Sequence, residues 1–340
     1  MHATHGARAP GKLFLFGEYA VLAGGYAVVA SSARGVSVSF DASRTTGYQV
    51  IGADMGATST ALPEAALRAI AQPESHVRGL TADVSELYEQ GAKLGLGSSA
   101  ASTIASLLAV NPSLIHDREH LFTAAFNAHR EIQSGRGSGA DVALAAFGRC
   151  IGYQLKQPQS PFSYLTTSAP MWEGDYIQTE HAVVYPQPAL PRELRIEAVW
   201  LGKPASSTEL IQRVEAACHD ARLDALNAIF QTISGCASTF ITGSGSQDVD
   251  AVCKLVREAN QAMEELTSLT GAPVCTPLHR ELVDVATQYG VACKPSGAGG
   301  GDFSLLMGHK DADWPALFEG LPLGAQYIPI ALGESEPEVF

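Results

Sequence analysis

Three turns rich in glycine and serine constrain this 340-residue chain more than any other feature. They lie at residues 95–99, 135–139 and 296–301, and the first two precede apolar stretches with helical spacing. Glycine allows successive backbone N–H groups to converge on an anion, and the N-terminus of a helix adds partial positive charge. One such turn also occurs without a ligand, as a tight connection between a strand and a helix. Three of them in one chain predict a site for phosphate groups.

The two most common phosphate-binding motifs, GxxxxGK(S/T) and a clean GxGxxG, are missing from the sequence. A P-loop enzyme and a Rossmann dehydrogenase are therefore disfavoured. The formal net charge of −13 argues against a nucleic-acid-binding protein, because such a protein needs a basic surface to neutralise phosphates. A small anionic ligand remains compatible with this charge, since a few local basic groups and backbone N–H groups are enough to bind it.

Cysteine usage and hydropathy predict a cytosolic protein. The cysteines at 150, 218, 236, 253, 275 and 293 include no CxxC pair, which favours free, buried thiols in a reducing compartment over a zinc site. The N-terminal segment lacks the apolar run of a secretory signal, and no stretch of about 18 apolar residues is present to span a membrane. We expect no nucleic-acid or membrane partner. The oligomeric state stays open, with a homodimer among the alternatives.

Hydrophobic periodicity predicts a mixture of strands and helices. Residues 9–29 contain two apolar strands around a polar turn, while 35–40 and 195–200 alternate apolar and polar residues as half-buried strands do. A further strand follows the third glycine-rich turn. Helical spacing is predicted at 63–72, 80–90, 98–110, 117–133, 140–148, 206–218 and 249–266. The prolines near 188–191 mark the expected boundary between two domains, residues 1–190 and 191–340.

Three segments carry a resemblance to a known family: PGKLFLFGEYAVL (10–22), KLGLGSSAA (93–101) and KPSGAGGGD (294–302). They resemble the three motifs of the GHMP kinases, which include galactokinase, homoserine kinase, mevalonate kinase and phosphomevalonate kinase, and the resemblance spans nearly the whole chain. It implies an α+β fold with two lobes, an N-terminal S5-like lobe and a C-terminal ferredoxin-like lobe, with the active site in the cleft between them. It also implies ATP and Mg²⁺ as cofactors.

Within this family, finer features resemble the phosphomevalonate kinases. They are Lys93 before LGLGSS, the block AHREIQSGRGSGADVALAAFG (128–148), LGKPASSTELIQRV (201–214) and GGGD at 299–302. The resemblance implies phosphorylation of 5-phosphomevalonate to 5-diphosphomevalonate in the mevalonate pathway. A mevalonate kinase, or another kinase directed at a hydroxyl group, is the main alternative. A decarboxylating relative is disfavoured, because its glycine-rich loop is richer in alanine.

Asp141 and Lys12 are the residues for which the resemblance implies catalytic roles. Asp141 corresponds to the family's catalytic aspartate, which deprotonates or orients the acceptor, although an aspartate in the first turn of a helix also favours the helix dipole. Lys12 corresponds to a lysine that approaches the reacting phosphates, although a lone lysine at a strand end is commonly just solvated. A non-catalytic ligand-binding homologue is the second alternative, and the presence of both residues argues against it.

The cofactor is assigned to the second and third motifs. The residues expected to bind ATP are Lys93, Gly95, Leu96, Gly97, Ser98, Ser99, Ala100, Ser296, Gly297, Ala298, Gly299 and Gly300. Ser98 and Ser99 are also candidates for a helix N-cap. For Mg²⁺, which keeps several waters and takes few protein ligands, the candidates are Ser99 and Glu131. Glu131 needs a gap to match the family's metal-binding glutamate, so His129 aligns better and Glu131 could equally be a surface charge.

The acceptor is a small anionic metabolite, and its own phosphate requires basic groups near Asp141. The residues expected to bind it are Glu18, Tyr19, Arg136, Ser138, Gly301 and Asp302. Lys203 is a further candidate. Arg136 could instead be a solvated loop residue, and Asp302 could be a turn cap. Basic side chains that converge beside Asp141 would favour phosphomevalonate over mevalonate.

Overall fold

The computed structural model describes residues 5–41, 43, 47–52, 61–70, 78–133, 135, 137–158, 162, 174–186, 188, 190–203, 206–219, 222–243 and 248–340. Its strands are β1 (His5–Phe16), β2 (Tyr26–Phe40), β3 (Gln49–Ile51), β4 (Leu80–Asp83), β5 (Tyr88–Glu89), β6 (Ala92–Lys93), β7 (Cys150–Leu155), β8 (Ile177–Gln178), β9 (Ala182–Pro186), β10 (Leu194–Trp200), β11 (Ala292–Pro295), β12 (Phe303–His309), β13 (Gln326–Tyr327) and β14 (Glu338–Val339). Its helices are α1 (Ala61–Ala69), α2 (Ser98–Val110), α3 (Arg118–Ile132), α4 (Ala140–Phe147), α5 (Ser207–Ala216), α6 (Leu223–Ile241), α7 (Val249–Thr270), α8 (Pro277–Gln288) and α9 (Trp314–Glu319).

The larger sheet has the strand order β14-β1-β2-β7-β9-β8, with β4 on β2 and β3 on β4. Pairing is antiparallel along the main path. In the long β1–β2 pair, Lys12 lies opposite Ser31, and the register shifts between Pro10 and Lys12. Proline has no N–H to donate to a ladder, so an irregularity is expected beside Pro10. This pair holds the backbone of Lys12 in the middle of a sheet.

Helices α2 and α4 pack on β1 and β2, and α3 packs against α1 and α4. The inward face of α2 includes Ile104, Leu107 and Leu108, which are fully buried. Burying a side chain of this size stabilises a fold by about 1.5–3 kcal/mol. Both α2 and α4 begin directly after glycine, Gly97 and Gly139 respectively, in the left-handed conformation. Two helix N-termini are thereby fixed at the end of the same sheet.

The smaller sheet has the antiparallel order β11-β12-β10-β13 and is covered by α7 and α8. Helix α7 also packs along α6, which contacts β2 of the larger sheet. Phe240 of α6 and Phe16 of β1 bring their ring centres within 5.2 Å. The described chain therefore has the predicted α+β class, with the third glycine-rich turn between β11 and β12.

The last ten residues run back along the larger sheet. Leu332 bridges Ser32, β14 pairs with β1, and Glu336 accepts from the guanidinium groups of Arg118 and Arg149. The division into residues 1–190 and 191–340 stays a prediction. A boundary at 190 assigns β14 to the second domain by sequence, although β14 pairs with the first strand.

The predicted helix at 80–90 is wrong. These residues form β4, a 3-10 turn (Ser85–Leu87) and β5. Leu80 and Ala82 point into the core because β4 pairs with β2, and this alternation overrides the helical spacing of Leu80, Val84 and Leu87. The helix predicted at 63–72 corresponds to α1, and its positions 71–72 lie outside the described residues.

Other sequence predictions agree with the fold. The helices expected near 98–110, 117–133, 140–148, 206–218 and 249–266 correspond to α2, α3, α4, α5 and α7. All six cysteines are buried free thiols, as predicted. Within the described ranges, no helix combines the length and apolarity that a membrane span requires.

Candidate active site

A cavity of about 530 Å³ opens where the glycine-rich segments meet. Its walls come from the end of β1, the 3-10 turn Ala20–Ala23, the first turns of α2, α4 and α5, the last turn of α3, and the loop between β11 and β12. A volume in this range suits a metabolite-sized ligand. The same cavity receives parts of all three motifs, so the sequence motifs converge although they lie up to 290 positions apart.

The segment 95–99 presents backbone amides and one hydroxyl to the cavity. Gly95 and Gly97 adopt φ values of 72° and 79°, which only glycine adopts without strain. Leu96 contributes its carbonyl to Lys12 N at 2.8 Å, which ties the loop to β1. Ser98 begins α2, and its Oγ is buried with no hydrogen-bond partner among the described residues. The first-turn amides of a helix have no partner within the helix, so an anionic ligand could accept hydrogen bonds from them and from the buried Ser98 hydroxyl.

The third loop is held against β1 by side-chain hydrogen bonds. Ser296 Oγ accepts from Phe14 N at 3.0 Å, and Tyr19 donates its hydroxyl to Ala298 O at 2.6 Å. Gly299 packs on the backbone of Val274, because an ideal Cβ at position 299 would lie 2.2 Å from Val274 O. Ser296, Gly297 and Ala298 line the cavity, whereas glycines 299–301 shape the turn behind it.

Asp141 lies in the first turn of α4, at the edge of the cavity. The turn before it rests on Phe126, since an ideal Cβ at Gly139 would lie 2.2 Å from the Phe126 ring. Val142 N donates to Asp141 Oδ1 at 3.0 Å, which leaves the other carboxylate oxygen for a ligand. Local geometry therefore requires glycine at 139 and holds the Asp141 carboxylate at the N-terminal end of α4.

Two lysines share the cavity with Asp141. Burial lowers the pKa of Lys93, the nearby charge of Lys12 acts in the same direction, and Asp302 and Asp141 oppose both effects. The other three groups are thus close enough to Lys93 to act on its charge. Asp302 packs on Gly95, where an ideal Cβ would lie 2.6 Å from Asp302 Oδ2. The cavity brings two ammonium groups to the place where the two glycine-rich loops approach each other.

A buried ion pair behind the cavity was not predicted from the sequence. Lys294 Nζ donates to Glu18 Oε1 and to Pro295 O, and both charged side chains are almost completely buried. Glu18 Oε2 has no partner within the described residues, and Glu18 lines the cavity. The sequence signal was a lysine inside the apolar strand ACKP, because a lysine is almost never fully buried without a partner. This pair joins the first motif to the third.

One face of α3 forms the wall beside Asp141. Phe126, His129, Arg130 and Gln133 follow the spacing i, i+3, i+4, i+7 and all line the cavity. Burial lowers the pKa of His129, while the charge of Asp141 opposes this shift, so the imidazole is neutral at pH 7. These residues, together with Ser207 and Thr208 of α5, were not assigned to the site from the sequence.

Comparison with known proteins agrees with this geometry. The family model "GHMP kinases N terminal domain" matches residues 61–149. The phosphomevalonate kinase of Streptomyces sp. (strain CL190) is 31% identical over 344 aligned residues, which cover 88% of each chain. The chain belongs to the GHMP kinase family. A phosphomevalonate kinase from Saccharolobus solfataricus is 24% identical, with 88% of this chain and 89% of that protein covered.

The GHMP kinase fold is also seen in solved structures. Streptococcus pneumoniae phosphomevalonate kinase in complex with phosphomevalonate and AMPPNP superposes with a TM-score of 0.71, at 18% identity, over 96% of this chain and 98% of that one. This likeness confirms the predicted two-lobed α+β architecture.

Most of the expected site residues of this GHMP kinase line the cavity. They are Lys12, Glu18, Tyr19, Lys93, Gly95, Gly97, Ser98, Ser99, Ser138, Asp141, Ser296, Gly297, Ala298 and Asp302. Leu96 and Ala100 are buried behind the loop. Glu131 is exposed and does not line the cavity, so the fold does not bring it to the site. Arg136 lies outside the described residues.

The described part of this GHMP kinase contains no preformed set of metal-ligating side chains for magnesium. Across the described residues, no three His, Cys, Asp or Glu side chains are grouped to hold a metal ion. This donor set fits Mg²⁺ bound chiefly through substrate phosphates and water, with one or two protein groups added. The unpartnered Ser98 hydroxyl, the half-buried Ser99 and Asp141 are the oxygen groups available for that purpose.

Proposed function

We propose that this GHMP kinase transfers the γ-phosphoryl group of ATP to 5-phosphomevalonate and so forms 5-diphosphomevalonate. The observation that carries the proposal is the pair of ammonium groups, Lys12 and Lys93, in one cavity with Asp141 and two amide-lined loops. The full-length Streptomyces relative, a phosphomevalonate kinase, supports this choice of acceptor.

The amides of 95–99 and 296–298 would bind the phosphates of ATP, with the Ser98 hydroxyl as an additional donor. Bound Mg²⁺–ATP supplies the phosphoryl group and a divalent charge that neutralises it. Glycine at 95 and 97 permits a close approach of the backbone, and the N-terminus of α2 adds partial positive charge. The Lys12 side chain packs against the Gly97 backbone, because an ideal Cβ at position 97 would lie 2.9 Å from Lys12 Cγ. The Lys12 ammonium group would therefore contact the same phosphates.

A phosphate acceptor changes what Asp141 has to do. A phosphate monoester has a second pKa of about 6, so at pH 7 it is mostly dianionic and needs little help from a base. Its approach to ATP is opposed by charge repulsion, and Lys12 and Lys93 reduce that repulsion. Asp141 then orients the acceptor and these ammonium groups, and accepts a proton only from the minor monoanionic form. Phosphoryl transfer depends mainly on such positioning and charge stabilisation.

A direct assay distinguishes the alternatives. Purified protein is incubated with Mg²⁺–ATP and either 5-phosphomevalonate or mevalonate, and ADP release is followed together with the ³¹P NMR spectrum. The proposal is supported if a diphosphate signal forms with 5-phosphomevalonate and not with mevalonate. Turnover of mevalonate alone would indicate a hydroxyl-directed kinase, and no turnover of either would favour a ligand-binding homologue.

The role of Asp141 has its own test. Asp141→Asn keeps the shape of the side chain and removes the charge that orients the acceptor and the ammonium groups, so kcat is expected to fall by about 10²–10³-fold. The affinity for AMPPNP should stay within a few-fold of wild type, because the amide loops are untouched. Unchanged kcat would contradict the assignment. The six buried free thiols also support a cytosolic, reducing location, which we include in the proposal.

A further inference from the structure

The last turn of α3 places a third basic side chain, Arg130, on the cavity wall. Its guanidinium carbon lies 5.8 Å from the ring centre of Phe126, the residue on which the turn before Asp141 rests. Within the described residues, no carboxylate forms an ion pair with Arg130. A half-buried guanidinium that is held by an aromatic ring and lacks a counter-ion is suited to bind an anion from the cavity.

The position of this turn relates it to the reacting groups. His129, the neighbour of Arg130, places Nε2 3.5 Å from Thr103 Oγ1, and Thr103 donates to Ser99 O at 2.9 Å. On the other side, Tyr153 donates to Ser138 O at 2.6 Å. Burial raises the pKa of this tyrosine, the charge of Asp141 adds to that shift, and the charge of Arg130 opposes it. The end of α3 therefore lies between the loop at 95–99 and the turn that carries Asp141.

Charge considerations indicate which anion needs a third cation there. A hydroxyl acceptor brings no charge to the reacting centre, whereas a phosphorylated acceptor brings nearly two negative charges next to those of ATP. Lys93 is shared with Asp302 and Asp141, whose negative charges offset part of its own. Among the residues that the structure describes, no carboxylate forms an ion pair with Arg130, and a planar guanidinium can bind two phosphate oxygens at once.

We propose that Arg130 binds the phosphate group of the acceptor and thereby determines the preference for a phosphorylated acceptor over its hydroxyl counterpart. This inference rests on the proposed function and adds a specificity-determining residue to it. An alternative is a purely structural role, in which Arg130 caps the C-terminal end of α3 through the helix dipole and covers Phe126.

The test measures binding of 5-phosphomevalonate and of mevalonate, each in the presence of AMPPNP and Mg²⁺, by calorimetry. Arg130→Met keeps the length of the stem and removes the charge, and Arg130→Lys keeps the charge without the fork. Arg68→Met serves as a matched control, because Arg68 is exposed on α1 and does not line the cavity. Thermal melting of each variant reports on the structural role.

Loss of charge-assisted hydrogen bonds predicts that Arg130→Met weakens 5-phosphomevalonate binding by about 10- to 100-fold. Mevalonate and AMPPNP affinities should change less than about 3-fold, Arg130→Lys should be intermediate, and Arg68→Met should match wild type. The inference is overturned if Arg130→Met keeps the wild-type ratio of the two acceptor affinities, or weakens both acceptors or AMPPNP equally. A wild type that neither binds nor phosphorylates 5-phosphomevalonate would refute the proposed function, and this inference with it.

Discussion

Replacing Lys294 by methionine tests how strongly the buried ion pair stabilises the protein. Lys294 is 0% exposed and Glu18 is 1% exposed, and Lys294 Nζ donates both to Glu18 Oε1 and to Pro295 O. Methionine fills a similar volume but leaves the Glu18 carboxylate buried without its counter-ion. Removing one partner of a buried pair costs about 3–5 kcal/mol, a large part of the roughly 5–15 kcal/mol that stabilises a typical domain.

Urea unfolding at pH 7 measures this loss of stability, and three further variants serve as comparisons. Glu18→Gln with Lys294→Met removes both charges and should recover most of the loss, because an uncharged pair of similar volume avoids the desolvation cost. Lys254→Met, at an exposed position of α7, should change the free energy of unfolding by less than about 0.5 kcal/mol. Glu18→Gln alone leaves Lys294 as the unpaired charge and should be destabilised like Lys294→Met.

The stabilities of the single and double variants provide the refuting result. The reasoning fails if Lys294→Met loses less than about 1 kcal/mol, or if the double variant is no more stable than the single one. Either outcome would mean that Glu18 finds another cation, such as Lys12, in the same cavity.

Three further predictions concern the loops and the smaller sheet. Gly299→Ala should raise the KM for ATP and lower the free energy of unfolding by more than about 2 kcal/mol. Gly290 has a similar positive φ, but no described atom lies within 4 Å of its ideal Cβ, so Gly290→Ala should cost only about 1 kcal/mol. Enzyme kinetics and thermal melting measure both variants, and equal effects would contradict the prediction. Ser98→Ala should weaken AMPPNP binding by about 5- to 20-fold in calorimetry without destabilising the free protein, since its hydroxyl bonds to no group in the described part of the chain. Burial lowers the pKa of His279 from 6.5 to about 3, so the neutral form stabilises the fold above pH 6.5 and that contribution is lost as the pH falls towards 3. Urea unfolding should show a loss of up to about 1.4 kcal/mol per pH unit in this window, and His279→Gln should flatten it.

The parts of the fold that sequence patterns predicted are those with local causes. The glycine-rich turn at 95–97 and the small residues after it predict the start of α2, because a turn signal followed by helical spacing is local in the sequence. The segment 80–90 was assigned wrongly because its structure depends on β2, with which Leu80 and Ala82 pair across 40 and 44 positions of sequence. Short strands of this kind are set by their partners rather than by their own residues.

The site shows the same division. Asp141, Lys12 and the loop glycines belong to sequence motifs, and most of them line the cavity. The Glu18–Lys294 pair joins residues 276 positions apart, and no local pattern specifies such a contact. Glu131 and Arg130 are neighbours in sequence, but the helix turns them to different faces, so only Arg130 reaches the cavity.

This division bears on how the acceptor is chosen. Backbone amides bind phosphate oxygens irrespective of what else the ligand carries, so the glycine motifs at 95–99 and 296–298 predict the use of a nucleotide and say little about the second substrate. Discrimination between a phosphate and a hydroxyl requires side chains whose charge or geometry matches only one of them. In this chain the candidates for such side chains are His129 and Arg130 at the end of α3 and Ser207 and Thr208 at the start of α5, which line the cavity. Acceptor preference is therefore expected to follow substitutions on these two helices, while substitutions in the loops change the use of ATP for every acceptor alike.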